Sequence, residues 1–400
     1  MTDFEAGSAR RRRIAAVALG VCALAAPLAA CTPREPAAEA RREPQPAAAA
    51  EVATLRAIDD TAFARLAAEL SEPGGYFDTD NLVSNERSYL HALDPLRALG
   101  VAGGAYVGVG PDQNFSYIAA VRPHVAYIID IRRDNALQHL LYKALFTLAG
   151  NRAEFLALLT GRAAPSDLAR WDDAEIAAIV EWIDAAPPDS AALLDARRRV
   201  DSALAATAVP LDDEARRTIA RIHEQFAADG LDLRFESHGR RAMPYYPTFR
   251  DLVLETDGEG RRSSYLAREE DFRFVREMQR RNLVIPVVGN LAGEHALAAI
   301  GRDAAARGLR ISALYASNVE FYLMRDGSFE RWARTVAALP SDSRSAIVRS
   351  YFPGFAAPPH PANVPGYRST QRVQRIDDFV AGAERGGWSS YHALALEGER

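Results

Sequence analysis

A chain of 400 residues with 48% hydrophobic and 25% charged residues has room for two or three domains, and it is not a wholly disordered, collagen-like or polytopic membrane protein. With 48 Lys and Arg against 53 Asp and Glu, the formal charge of −5 lacks the cationic footprint of a nucleic-acid binder, so nucleic acid is not an expected partner. Two cysteines, Cys22 and Cys31, are too few for a disulfide scaffold or a Cys-rich zinc site.

Arg10 to Arg13 form a positive run ahead of the apolar stretch Ile14 to Pro27, which is short for a bilayer span and suits the h-region of a signal peptide. Leu28-Ala29-Ala30-Cys31 follows and resembles the bacterial lipobox, which implies lipidation of the Cys31 thiol and cleavage just before it. A plain secretory signal or a single-pass anchor is the alternative. By the same resemblance, Thr32 in place of an aspartate favours the periplasmic face of the outer membrane over the inner membrane. The membrane is then a partner through acyl chains. The arginine run is loosely similar to a twin-arginine signal, so the export route stays open. Residues 1–30 are read as signal peptide and 31–50, rich in Pro, Ala and Glu, as a tether unable to bury a core.

The folded body starts near Glu51. Phe63, Leu66 and Leu70 predict a helix ending at the Glu72-Pro73-Gly74-Gly75 turn cluster. Gly104 to Val109 predicts a strand, Asn114 to Val121 a helix, and Val125 to Ile131 a buried parallel strand. Leu137, Leu140, Leu141, Ala144, Leu145 and Leu148 recur at helical spacing, which predicts a leucine stripe against the sheet, with His139 on the opposite face toward a pocket or solvent. Residues 151–235 read as a helical insertion. Strand signals return at Leu252 to Glu255, Leu283 to Val288 and Ile311 to Ala316, and a last helix is predicted near Val373 to Glu384 after a loop-rich stretch. Two strand, glycine turn, helix, strand units predict an α/β fold with a doubly wound, Rossmann-like sheet, its halves being residues 51–150 and 236–400.

Gly108-Val109-Gly110-Pro111 closes the first predicted strand, and Asp130 closes the second 20 residues after Gly110. Glycines there let a ligand approach the backbone, and a carboxylate at that distance suits ribose hydroxyls; a tight turn and a solvent-facing aspartate is the alternative. Gln113 stands where a dinucleotide fingerprint has its third glycine, so a nucleoside without a diphosphate fits better than NAD. Arg132 could pair with an anion, and His139 could act as a general base, although a hydrogen-bonded helix histidine is the commoner case. Ser317, Asn318 and Glu320 follow a strand end where ligands gather in open α/β sheets. There is no G-x-S-x-G elbow, H-E-x-x-H or Walker lysine, so serine hydrolysis and metal catalysis lose support.

The stretches Gly103 to Ile118, Ile128 to Asn135 and His139 to Phe146, with Asp80 to Glu86, Val287 to Gly293 and Ser317 to Tyr322, resemble an uncharacterised bacterial family. Its core is similar to class I S-adenosylmethionine-dependent methyltransferases. That resemblance implies Gly108 and Gly110, with Asp112 and Asn114 in the same turn, under the methionine part of S-adenosylmethionine, Asp130 on the ribose and Asn290 near adenine or substrate. It also implies Asn81, Asn85 and Glu86 as a lid, with Glu86 replacing the acid that Tyr106 displaces. Ser84 or Asn85 could equally cap a helix. S-adenosylmethionine is made in the cytoplasm, so a methyltransferase of this kind is either exported folded and loaded by the twin-arginine route or carries no export signal. The alternative is a non-catalytic envelope lipoprotein using the fold for binding or assembly.

Overall fold

In the computed structural model, residues 55–238, 243–353 and 358–397 are described; Cys31 and the expected signal peptide and tether lie outside them. Helices α1 (Asp60–Leu70) and α2 (Leu93–Ala98) precede strand β1 (Ala105–Gly108), and α3 (Gln113–Val121) leads to β2 (Val125–Asp130) and α4 (Arg133–Leu148). Six helices follow: α5 (Arg152–Leu159), α6 (Ile176–Ala185), α7 (Ser190–Ala206), α8 (Asp213–Asp229), α9 (Phe249–Val253) and α10 (Glu269–Arg280). Then come β3 (Val284–Val288), α11 (Ala296–Ala306), β4 (Ile311–Ser317), α12 (Val319–Asp326), α13 (Phe329–Ala337), β5 (Ala346–Tyr351), β6 (Thr370–Arg375), α14 (Ile376–Glu384) and α15 (Tyr391–Leu396).

The strands make one mixed α/β sheet in the order β3-β2-β1-β4-β5-β6. The first five are parallel and β6 runs antiparallel to β5 at the edge. β2 has a parallel neighbour on both sides, and only its last residue, Asp130, is more than marginally exposed. That double burial is why its sequence reads as an unbroken apolar run.

The leucine stripe of α4 is buried as expected from Leu137 to Leu145, with Leu148 only half-buried, but so is the face carrying His139, which is 2% exposed. The reason lies in the helices between α4 and β3. α7, α8 and α10 pack against α4 while β2 and β3 lie on its other side, so the helix is covered nearly all round.

Leu252 to Glu255 is not a strand. Thr248 and Asp251 form a reciprocal capping box that starts α9, and the apolar residues Phe249, Leu252 and Val253 are one helical face. The stretch read as loop holds β5 and β6, and Val373 belongs to β6, so the last helix of that stretch begins only at Ile376. β5 escapes an apolar-run criterion because Arg349 and Ser350 sit inside it, fully buried and hydrogen-bonded.

Candidate functional site

The strand order reverses between β1 and β4, and in open α/β sheets the crevice at such a reversal, beyond the carboxyl ends, is where ligands lie. Here the chain between α1 and α2 crosses those ends like a strap. The N–H of Glu72 donates to the Val288 carbonyl at the end of β3 (2.9 Å), and the N–H of Gly75 donates to Ile131 just beyond β2 (2.7 Å). Arg132 donates to the carbonyls of Thr79 and Asp80. Asn81 sits over the turn after β1, and Glu86 reaches β4, β5 and β6.

At β3 the Glu72 carboxylate accepts N–H groups from Asn290 (2.8 Å), His295 and Ala296 (3.2 Å each), a position the dipole of α11 favours for a negative charge. Asn290 turns its Oδ1 back onto the N–H of Ala292 (2.9 Å). It therefore lies two strands from the β1 turn and does not join the residues there.

Gly110 adopts φ +82°, the left-handed conformation that glycine accommodates without strain. A Cβ on Gly110 would stand 3.4 Å from Asn81 Nδ2 and 3.1 Å from Gln113 Nε2. Asn114 braces the turn from inside, its Nδ2 donating to the carbonyls of Val109 (2.9 Å), Gly110 (3.2 Å) and Pro111 (2.7 Å) while its Oδ1 accepts from Tyr106 (2.8 Å). The space beside Gly108 is thereby filled, since a Cβ there would overlap Asn114 Oδ1 and the Tyr106 hydroxyl. His139 donates from Nε2 to the Gly110 carbonyl (2.9 Å), which leaves Nδ1 as an acceptor. Burial pushes the imidazole down to about 4, so it is neutral at ordinary pH. Asp130 pairs with Arg132 through both carboxylate oxygens (3.0 and 2.8 Å) and accepts the Arg132 N–H (2.9 Å).

Several buried atoms near this turn have no hydrogen-bond partner: Asp112 Oδ1, Gln113 Oε1, His139 Nδ1, Thr79 Oγ1 and both amide atoms of Asn135. Asp112 Oδ2 accepts from the Tyr265 hydroxyl (3.3 Å), and burial pushes the carboxyl up to about 7.

Glu86 belongs to a second cluster. It is 1% exposed and accepts from the hydroxyls of Tyr315 (2.6 Å), Ser317 and Ser350 and from Gln371 Nε2 (3.3 Å). Burial raises its carboxyl, and the four donors pull the other way. Ser317 takes φ +52° to present its hydroxyl. Ser84 accepts the Glu86 N–H (3.1 Å), while Asn85 is half-buried and Asn318 precedes α12 half-buried, its Oδ1 3.4 Å from the Ser317 hydroxyl. Gln113 Nε2, 3.3 Å from the Tyr315 hydroxyl, links the two clusters. Glu320 faces away from both, in a fully buried ion pair with Arg349 (2.6 and 3.1 Å), because Arg349 and Ser350 are successive residues of one strand and point to opposite faces.

The structure thus brings together Gly110, Asn114, His139 and Asn81, with Asp130 and Arg132 beside them, and separately Glu86 with Ser317. No motif or spacing in the sequence singles out Tyr315, Ser350, Gln371 or Glu72; the one trace is that Tyr315 and Ser350 are polar residues inside strand segments.

Among the described residues, no group of three or more His, Cys, Asp or Glu is placed to hold a metal ion, and no helix is long and apolar enough to cross a membrane. A search of curated proteins found no match. A family model does match, across residues 82–385 and therefore across β1 to β6, with Thr79 and Asn81 of the strap just outside it, and the chain belongs to that family, described as Domain of unknown function (DUF7790).

Proposed function

We propose that this is a lipid-anchored envelope protein whose α/β domain, Rossmann-like and similar in plan to a methyltransferase, binds a nucleoside-like or other small polar ligand at the carboxyl ends of β1 and β2. One observation carries the reading. A left-handed glycine turn, a strand-end carboxylate and buried polar atoms without protein partners converge where the strand order reverses. The parallel order β3-β2-β1-β4-β5 supports the doubly wound plan. The lipid anchor rests on Leu28-Ala29-Ala30-Cys31.

S-adenosylmethionine fits this site in part. Asp130 stands where ribose hydroxyls would be held, and Asn81 lies over the Gly110 turn. The methionine chain does not fit beside Gly108, because Asn114 and Tyr106 fill that space, and Tyr106 offers no carboxylate for its amine.

The non-catalytic reading has its own observation. His139 and Glu86, the two candidate catalytic groups, both hold the fold together through their side chains. A binding or assembly role needs neither to react.

The test is calorimetric titration of the full chain in detergent micelles with adenosine, S-adenosylmethionine, S-adenosylhomocysteine and NAD. The expected result is that a nucleoside binds and that Asp130→Ala weakens it about tenfold to a hundredfold, as the loss of one hydrogen bond to a charged acceptor should. Binding of none of the four ends the nucleoside reading. Separately, Cys31→Ser should abolish labelling by a palmitate analogue, and persistent labelling would end the anchor reading.

A further inference from the structure

We infer that Asn135 is the base-reading residue of this site, and that the ligand carries a flat heterocycle of the aminopurine class, with a hydrogen-bond donor beside an acceptor. The inference rests on the proposed ligand site. Asn135 is 1% exposed, yet neither its Oδ1 nor its Nδ2 has a partner in the protein. A buried primary amide left unpaired on both sides is costly, so a fold that keeps one has a use for it. His139 lies one turn further along the same face of α4, and its Nδ1 is also buried and unpartnered. Its tautomer is fixed, because Nε2 must donate to the Gly110 carbonyl. The face thus offers one donor and one acceptor on a planar amide, with a second acceptor next to it. A carboxamide reads the amine and ring nitrogen of an adenine edge in this bidentate manner.

The placement agrees with the ribose position. Asp130 ends β2 and α4 begins at Arg133, so sugar acceptor and base reader stand on consecutive elements. The strap covers this face, with Gln138 Nε2 donating to the Leu82 carbonyl (2.7 Å) and Arg132 holding Thr79 and Asp80. Entry of the base requires those bonds to part, which makes the strap the lid of the site.

The experiment compares adenosine with purine riboside, which lacks the exocyclic amine, on the full chain in micelles by calorimetry and thermal melting. Wild type should prefer adenosine by about tenfold to a hundredfold, the discrimination of one bidentate pair. Asn135→Leu should erase that preference and, without ligand, melt no lower than wild type, because an apolar side chain of similar size replaces an unpaired amide. If the leucine variant fails to fold, Asn135→Ala carries the same binding expectation. A leucine variant that folds but melts well below wild type would show the amide paired within the fold and overturn the inference. So would a preference that survives either substitution, or a wild type that binds both nucleosides equally, and these leave the ligand site standing. A wild type that binds no nucleoside overturns both.

Discussion

The two polar clusters at the carboxyl ends of the strands are both buried and differ in one respect. Around Glu86 every carboxylate oxygen meets donors, from Tyr315, Ser317, Ser350 and Gln371. Around Gly110 the backbone is tightly braced, but side-chain atoms of Asp112, Gln113, Asn135 and His139 face no partner. A saturated network specifies packing and leaves little capacity for a ligand. An unsaturated one is held in place by its surroundings and keeps hydrogen-bonding capacity for a ligand. Glu86 therefore belongs to the architecture, where it ties the strap to three strands, and in the proposed function recognition falls to the turn after β1 and the adjoining face of α4.

Substitutions can break or sharpen this contrast, and the largest effect belongs to the ion pair beside the saturated cluster. Arg349→Leu strands the fully buried Glu320 carboxylate and should cost about 3–5 kcal/mol in denaturant unfolding. Replacing both partners by leucine should recover much of that loss. Glu86→Leu orphans four donors and should cost about 3 kcal/mol. A cost under about 1 kcal/mol would make the two clusters alike.

Acid titration separates two groups at the unsaturated cluster. His139 is held down to about 4 by burial, so the unfolded chain takes up this proton first, from about pH 6.5, and stability falls as pH drops toward 4. Asp112 is pushed up to about 7 by burial, so the fold retains a proton that the unfolded chain releases, and stability falls as pH rises from about 4 to 7. Over pH 4 to 6.5 the two trends oppose each other in wild type. Asp112→Asn should unmask the first, with stability rising with pH by roughly 3 kcal/mol, and His139→Gln should unmask the second with the opposite slope. Equal slopes in both variants would contradict the assignment. The smallest effect is that of Asn135→Leu, within about 1 kcal/mol of zero or stabilising.

Much of this plan is legible in the residues, and the exceptions have physical causes. β1 to β4 announce themselves because strands buried on both faces must be apolar, whereas β5 carries Arg349 and Ser350 and becomes a strand through partners on α12, β6 and the strap. The Thr248 capping box was readable and would have turned Leu252 from strand to helix. Gly110, Asp130 and Glu86 stand out by spacing and context. What Glu86 meets does not, because Tyr315, Ser350 and Gln371 come from three strands joined only in the folded chain. Asn135 is visible as a helix residue beside His139. Its lack of a partner is a property of three-dimensional packing alone.

Hydrogen exchange along the strap tests the central claim, that the ligand site lies beneath it, most directly. Without ligand, the N–H of Gly75, bonded to Ile131 beyond β2, should exchange by local opening, well before the amides of β1 and β2. With saturating adenosine, protection of residues 75–82 and of the Gly110 turn should rise together. Exchange of the strap only with global unfolding, or ligand protection confined to another part of the molecule, would contradict the account.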